Sequence, residues 1–276
     1  MKVRRIALSA AGWLWAAAFC APTHAASVST PLAIGETFTI DSKILGETRR
    51  INVYLPSGYA ESSESRMPVL YMLDGGIAED FLHVAGLVQV LVSDHTMRPF
   101  VLVGIENTER RRDVTGPTRN PEDRKIAPRV GGSAAFRTFI RDELMHAVRH
   151  RYRTTDETAI VGESLSGLFV IETFLLDPSM FSTYVAIDPS LWWNSRTLVS
   201  VASELLRGMP ERRGTLYIAT SDEKEIVDDT GRFVEILKAY APEGVRWHYE
   251  PMPEEQHSTI FHPAALKAFR SVFKPS

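Results

Sequence analysis

The sequence predicts a single α/β domain in which a mostly parallel central sheet is covered by helices on both faces. Three observations support this prediction. Short apolar or β-branched runs alternate with longer segments of helical period, which is typical of parallel sheets. Removal of a predicted leader leaves residues 26–276, a length that suits one α/β domain. Finally, a short strand, a tight turn and a helix follow one another around Gly162.

Residues 1–25 are interpreted as an export signal. Three basic residues precede an apolar run over residues 6–19, and Thr23 and Ala25 are small residues at the positions that signal peptidase recognises. The alternative, a buried N-terminal helix, would not need the basic start. The apolar run is too short to cross a bilayer, so we expect no stable membrane anchor. Cleavage after Ala25 predicts a periplasmic or secreted protein.

Composition excludes several classes of function. The full sequence has a formal net charge of −3, and loss of the leader makes it more acidic, so nucleic acid is not an expected partner. Cys20 is the only cysteine and leaves with the leader, so neither disulfide nor thiol chemistry is expected. The sequence has no Cys/His cluster at metal-ligand spacing, and we expect no metal or organic cofactor. Nothing in the sequence favours a particular oligomeric state.

The strands are predicted at the apolar or β-branched runs, the first two as an antiparallel pair: 37–40, 50–55, 69–73, 100–105, 159–161, 184–187, 215–219 and 245–249. Helical period predicts four helices: one that Ser133 caps and that continues to Val148, and those over 165–176, 230–239 and 264–273. The segment 107–130 has no period and predicts a long loop. Parallel sheets of this kind place their chemistry at the carboxyl ends of the strands, where we expect the functional residues.

Ser164 is the predicted nucleophile. Gly162 lies two residues before it and the small residue Ser166 two residues after it, between a predicted strand and a predicted helix. This is the nucleophile-elbow arrangement of α/β-hydrolases, although the usual pattern has glycine where this chain has Ser166. The N–H of Leu165, at the start of the helix, is the predicted first donor to an oxyanion. The alternative is an ordinary turn in which Ser164 caps a helix.

His257 is the predicted general base. In α/β-hydrolases the chain order is serine, acid, histidine, which leaves three histidines after Ser164. His248 lies inside the last predicted strand, whereas His257 follows that strand in a loop and precedes the final helix. His262 is the second candidate.

The acid is expected in the polar segment that follows the predicted strand 215–219. Glu223 is the first choice, Asp222 the second, and Glu225 and Asp228 are further candidates. A Ser–His dyad without an acid is the remaining alternative. The second oxyanion donor is predicted at the N–H of Gly76, because Gly75 and Gly76 allow close backbone approach after the strand 69–73.

The sequence resembles the esterase D-like superfamily of α/β-hydrolases, and within it the siderophore trilactone esterases and their periplasmic relatives. The segments that carry the resemblance span the mature chain: 50–56 with Gly58 and Tyr59, 71–75, 103–108 with Arg112, Asp113 and Thr115, the elbow, and 188–194. The resemblance places the serine and histidine of the family on Ser164 and His257, and it implies hydrolysis of a small-molecule ester through an acyl-enzyme.

The superfamily also contains feruloyl esterases, acyltransferases and formylglutathione thioesterases, so the substrate stays open. Trp192 and Trp193 could stack on a catecholate ring, with core packing as the alternative. Arg112 and its neighbours Arg110 and Arg111 could meet an anionic substrate or pair with acidic neighbours. An acyltransferase with the same residues and a non-catalytic binding module are the rival hypotheses.

Overall fold

An eight-stranded sheet forms the centre of the protein, in the order β1-β2-β4-β3-β5-β6-β7-β8. The computed structural model describes residues 29–209 and 211–275, so the predicted leader lies outside the described residues. The strands are β1 (Glu36–Ser42), β2 (Glu47–Tyr54), β3 (Met67–Met72), β4 (Val101–Ile105), β5 (Thr154–Glu163), β6 (Thr183–Ile187), β7 (Gly214–Thr220) and β8 (Val245–Pro251). All eight predicted strands are therefore confirmed.

The pairing of the strands is mostly parallel. β1 and β2 form the predicted antiparallel hairpin, and β2 pairs antiparallel with β4. From β4 to β8 every neighbouring pair is parallel. The predicted fold class is confirmed. The residues Ile34–Ser276 form one compact unit, and the described residues 29–33 before it are exposed.

Helices connect the parallel strands. They are α1 (Phe81–Ser93), α2 (Arg110–Asp113), α3 (Pro121–Ile126), α4 (Ser133–Phe139), α5 (Met145–Arg151), α6 (Leu165–Leu176), α7 (Trp193–Arg207), α8 (Lys224–Tyr240) and α9 (Phe261–Val272). A π-helical turn, Ile140–Leu144, joins α4 to α5. No helix in the described part of the chain is long and apolar enough to cross a membrane.

The helices depart from the sequence prediction in four places. The helix α1 was not assigned, and the predicted loop 107–130 contains the short helices α2 and α3. Gly132, not Ser133, precedes α4, since the Ser133 hydroxyl is used for a hydrogen bond to Glu172 at 2.8 Å. The sequence did not predict α7 either, whose first turn contains left-handed residues at 194–196.

The central strands are buried on both faces. Every residue of β3, β4 and β6 is buried, because helices cover both sides of the parallel part of the sheet. Alternate residues of β3 enter different cores: Tyr71 packs with Phe181 on one face, and Leu70 packs with α1 and α9 on the other. Burial on both faces fixes the register of the strands and hence the position of their carboxyl ends.

Side chains from two other parts of the protein bind the segment between β4 and α4. Arg49 of β2 is fully buried, and its guanidinium contacts Asp113 at 2.6 Å and donates to the Glu106 carbonyl at 3.1 Å. The Trp193 indole donates to the Gly116 carbonyl at 3.0 Å. These bonds hold the segment against β2 at one point and against the start of α7 at another.

Polar side chains gather where the strands end, on one side of the sheet that we term the carboxyl edge. One such side chain follows each strand from β3 to β8, in this order: Asp74, Asn107, Ser164, Asp188, Ser221 and His257.

Candidate active site

Ser164 occupies a sharp turn between β5 and α6. Its backbone has φ 60° and ψ −121°, and Leu165 is the first residue of the helix. This conformation, which few non-glycine residues adopt, turns the chain abruptly from the strand into the helix. The result is that the Ser164 hydroxyl is presented at the carboxyl edge rather than within the strand or the helix.

The elbow requires small residues. A Cβ at Gly162 would lie 2.8 Å from the backbone carbonyl group of Ser166, closer than real Cβ contacts come. The serine at position 166 fits because Gly162 has no Cβ to meet it, and its side chain is fully buried. The departure from the usual glycine therefore leaves the elbow geometry intact.

The histidine predicted to be the base contacts the predicted nucleophile. His257 Nε2 lies 3.1 Å from Ser164 Oγ, within hydrogen-bond distance. The loop between β8 and α9 places it there, and 42% of its side-chain surface is exposed. His248 lies on β8 and pairs with Glu250, and His262 is on α9 and meets the His83 ring. The structure thus brings His257, and neither alternative, to Ser164.

Asp188 completes the chain of hydrogen bonds. Its Oδ2 lies 2.7 Å from His257 Nδ1, and its side chain is fully buried. The N–H and hydroxyl of Ser221 both donate to the same carboxylate at 2.7 Å. Because an ionised carboxylate only accepts, Nδ1 of His257 carries a proton and Nε2 is left as the acceptor for the Ser164 hydroxyl.

The prediction of Glu223 as the acid is corrected by this geometry. Glu223 precedes α8 and is exposed, as are Asp222, Glu225 and Asp228. Glu225 pairs with Arg196, and Asp228 with Lys224. The loop after β7 contributes Ser221 to the site instead of a carboxylate, and the carboxylate comes from the end of β6, the strand next to β5.

A sequence signal for Asp188 existed. Asp188 directly follows a buried apolar strand, and it opens the segment 188–194 that carries much of the family resemblance. Backbone hydrogen bonds also join this turn to the elbow: Ser164 N–H donates to the Ile187 carbonyl at 3.0 Å, and Ser190 N–H donates to the Ser164 carbonyl at 3.1 Å. Ser190 Oγ consequently lies 3.4 Å from Ser164 Oγ.

The two predicted oxyanion donors have different environments. Leu165 N–H belongs to the first turn of α6, where N–H groups have no acceptor within the helix. Gly76 N–H donates to the Glu79 carboxylate at 2.6 Å, at the spacing of a capping box. Gly76 N–H is therefore engaged in the turn before α1, and Leu165 N–H stays the predicted oxyanion donor.

The predicted aromatic and cationic contacts to substrate are also revised. Trp193 is 4% exposed and is fixed by its bond to Gly116, which is the packing role given as its alternative. Trp192 is half-buried against the core. Arg112 pairs with Glu47 at 2.7 Å and with Asp113 at 2.6 Å, and the pocket it lines does not include Ser164. Arg112 and Trp193 are therefore structural in this arrangement.

Arg110 is the arginine of this segment that reaches the elbow. Its guanidinium contacts both carboxylate oxygens of Asp74, at 2.5 and 2.9 Å. The same group lies 3.4 Å from the Glu163 carbonyl and 3.5 Å from the Ser166 hydroxyl. A positive charge therefore lies beside the residues that flank the nucleophile.

Two neighbouring groups have perturbed ionisation. The hydrogen bond that His257 donates to Asp188 raises the pKa of His257, burial opposes this effect, and the nearby Glu163 carboxylate raises the pKa further. Burial raises the pKa of Glu163 to about 7, against the opposing influence of His257 and Arg110. Among the described residues, no group of three His, Cys, Asp or Glu side chains could hold a metal ion.

The fold, the strand–turn–helix elbow and the Ser–His–Asp arrangement define a serine hydrolase of the α/β-hydrolase type. Comparison with known proteins gives the family. The profile of the esterase family described as "Putative esterase" matches residues 42–258, and the chain belongs to this family. The protein is accordingly a serine carboxylic-ester hydrolase.

Similar proteins include several siderophore esterases. The ferri-bacillibactin esterase BesA of Bacillus subtilis is 26% identical over 250 residues, which cover 83% of this chain and 86% of BesA. The siderophore triacetylfusarinine C esterase of Aspergillus fumigatus is 27% identical over 62% of this chain and 61% of its own. The structure of an IroE-like serine hydrolase from Shewanella oneidensis is 29% identical with a TM-score of 0.79, and the match covers 87% of this chain and 80% of that one.

Replacing the buried carboxylate tests the corrected acid. We expect Asp188→Asn to lower kcat about 100- to 10,000-fold. The reason is that the neutral amide neither holds His257 in the required tautomer nor stabilises the charged imidazolium. Glu223→Gln should retain kcat close to that of the wild type. The measurement is the steady-state hydrolysis of a nitrophenyl ester. A large loss in Glu223→Gln with a small loss in Asp188→Asn would restore the original prediction.

The charge of Glu163 should be visible in the pH profile. A carboxylate near His257 favours the imidazolium form, so Glu163→Gln should lower the pKa of His257. Because the base must be neutral, the acid limb of kcat/KM against pH should shift to lower pH. Glu223→Gln, whose carboxylate has a smaller effect on His257, is the control and should shift the limb less. An acid limb that stays in place or moves to higher pH would contradict an electrostatic effect of Glu163 on the pKa of His257.

Proposed function

We propose that Ser164, His257 and Asp188 form the catalytic triad of this esterase and that its substrates are siderophore-type polyester lactones. The observation that carries the proposal is the continuous chain of hydrogen bonds, 3.1 Å from Ser164 to His257 and 2.7 Å from His257 to Asp188, at the start of a helix. This arrangement holds each group within reach of the proton that it transfers or orients.

Acylation begins with attack by Ser164 Oγ on the ester carbonyl carbon, while His257 Nε2 takes the hydroxyl proton. The resulting imidazolium is stabilised by Asp188, which remains ionised. The tetrahedral oxyanion accepts a hydrogen bond from Leu165 N–H and lies at the positive end of α6. Collapse breaks the carbon–oxygen bond of the ester, and the departing alkoxide takes the proton from His257.

Deacylation repeats these steps with water. His257 removes a proton from a water molecule as the oxygen attacks the acyl carbon, and the Ser164 oxygen leaves with that proton. The products are the free enzyme and a carboxylic acid, which ionises by releasing its proton to solvent. For a cyclic ester the alcohol and the acid stay in one molecule, so the first turnover opens the ring and later turnovers release single units.

The substrate class is supported by the relatives and by the charge around the site. BesA is named as a ferri-bacillibactin esterase, and the Aspergillus fumigatus relative is named as a siderophore esterase. In this chain, seven of residues 107–131 are Arg or Lys and four are Asp or Glu, which contrasts with the acidic balance of the whole sequence. From this local excess of positive charge we infer an ester that carries negative charge, as a catecholate does.

The proposal is tested by comparing substrates and variants of the protein comprising residues 26–276. We expect hydrolysis of a catecholate trilactone with a kcat/KM above that for nitrophenyl butyrate, and loss of both activities by roughly four or more orders of magnitude in Ser164→Ala and His257→Ala. His248→Ala, which removes an exposed histidine on β8, is the matched control and should retain activity. Products are followed by liquid chromatography with mass spectrometry.

The outcomes separate the parts of the proposal. Activity that persists in Ser164→Ala would overturn the nucleophile. Hydrolysis of the nitrophenyl ester without hydrolysis of the trilactone would overturn the substrate class and leave the esterase mechanism in place. Accumulation of an ester of an added alcohol, in preference to the free acid, would point to acyl transfer.

We also propose that the protein is exported and that the segment 1–25 is removed. The support is the basic start, the apolar run and the small residues at 23 and 25. When the full chain is expressed in a Gram-negative host, the periplasmic extract should contain a protein whose N-terminal residue is Ala26. Retention of Met1 in protein recovered from the cytosol alone would contradict export.

A further inference from the structure

We propose that Asp74 and Ser166 act as a positioning pair, which fixes the first turn of α6 against the turn after β3 and so sets the position of the oxyanion site. This inference rests on the proposed function of Ser164. It assigns a role to the serine that occupies the usual glycine position of the elbow.

The Ser166 hydroxyl is committed to Asp74. Ser166 is fully buried, and its Oγ donates to Asp74 Oδ2 at 2.8 Å. Ser166 belongs to the first turn of α6 and directly follows Leu165, whose N–H is the proposed oxyanion donor. A hydrogen bond at Ser166 therefore acts one residue away from the donor.

Asp74 is the centre of a larger set of bonds. Its carboxylate also accepts two bonds from Arg110, at 2.5 and 2.9 Å, and one from Asn107 Nδ2 at 2.6 Å. Asp74 itself has a left-handed backbone, with φ 55°, at the point where the chain leaves β3. One carboxylate thus joins the turn after β3, the segment after β4 and the helix after β5.

Arg110 makes the burial of this carboxylate tolerable. A buried carboxylate without a cation is strongly unfavourable, and the guanidinium supplies both charge and two hydrogen bonds. The same guanidinium lies 3.4 Å from the carbonyl of Glu163, the residue before the nucleophile. Asp74 and Arg110 together therefore hold the elbow on both sides of Ser164, through Ser166 and through Glu163.

The turn after β3 cannot shift independently. A Cβ on Gly75 would lie 2.3 Å from the Gly104 backbone, and the Gly75 carbonyl accepts a hydrogen bond from Asn52 at 2.8 Å. This turn is therefore packed directly against β4 and β2. The bond that Ser166 donates to Asp74 therefore holds the first turn of α6 in a fixed position relative to this turn.

The Ser166→Ala variant tests the pair. It removes one of the four bonds to Asp74 and leaves the Asp74–Arg110 ion pair intact, so the fold should be retained. We expect kcat to fall about 10- to 100-fold with KM unchanged, because the donor is displaced relative to the transition state. The affinity for a phenylboronic acid, which forms a tetrahedral adduct on the nucleophilic serine, should fall by a similar factor. Ser166→Gly, which introduces the usual residue, should behave in the same way.

Ser133→Ala is the matched control. The Ser133 hydroxyl is buried to the same degree, and it donates to Glu172 at 2.8 Å, a carboxylate that is itself paired with Arg137 at 3.2 Å. This trio has the same kinds of group as Ser166, Asp74 and Arg110, but Ser133 and Arg137 belong to α4, and Glu172 lies further along α6 than Ser166. Ser133→Ala should therefore leave both kcat and boronate affinity unchanged, even if it lowers the melting temperature.

If the wild-type enzyme is active, three outcomes test the positioning role of Asp74 and Ser166. A joint fall of kcat and boronate affinity in Ser166→Ala, absent in Ser133→Ala, supports the positioning role. Unchanged kcat in Ser166→Ala or Ser166→Gly overturns it. A fall in kcat with unchanged boronate affinity overturns it as well, since the oxyanion site would then be intact. Failure of the proposed function would be recognised separately, because the wild-type protein would hydrolyse neither ester.

Discussion

The left-handed backbone of Ser164 is the constraint on which the rest of the carboxyl edge depends. Such a conformation costs a non-glycine residue on the order of 1–3 kcal/mol, so the surroundings must hold it in place. Three backbone hydrogen bonds do so: Ser164 N–H donates to Ile187, and its carbonyl accepts from Leu168 and Ser190. Two of the three partners belong to β6 and the turn that follows it. The elbow and the buried Asp188 are therefore positioned by the same contacts, and one cannot move without the other.

Two buried aspartates serve the site in different electrostatic settings. Burial tends to raise the pKa of Asp74, but the bonds from Arg110 outweigh it and keep that pKa below the ordinary value. Its charge is thus compensated by a permanent cation. Asp188 instead accepts bonds from the neutral Ser221 and from His257, whose charge changes during the reaction. The carboxylate with a permanent partner stabilises the architecture, and the one without such a partner is available to the developing imidazolium.

Sequence reasoning predicted the eight strands and the pairing of Ser164 with His257, because each depends on local signals: apolar runs, a small-residue turn and chain order. It missed Asp188 because the expected position of the acid, after β7, contains several exposed carboxylates that the sequence alone cannot separate from a buried one. The pairing of Arg112 with Glu47 depends on tertiary packing as well, because the two residues are far apart in the chain. The bond from Gly76 N–H to Glu79 is local instead, and the spacing of these two residues was a sequence signal for it.

The partial exposure of His257 has a consequence for the enzyme when it is occupied. In the free protein 42% of this side chain faces solvent, so water helps to stabilise its protonated form. An ester seated over Ser164 would displace much of that water while leaving the hydrogen bond to Asp188 in place. Desolvation disfavours the charged imidazole, so the pKa of His257 falls and its ring is more often unprotonated once substrate covers it. The bound substrate thereby takes part in preparing the group that activates its own attack.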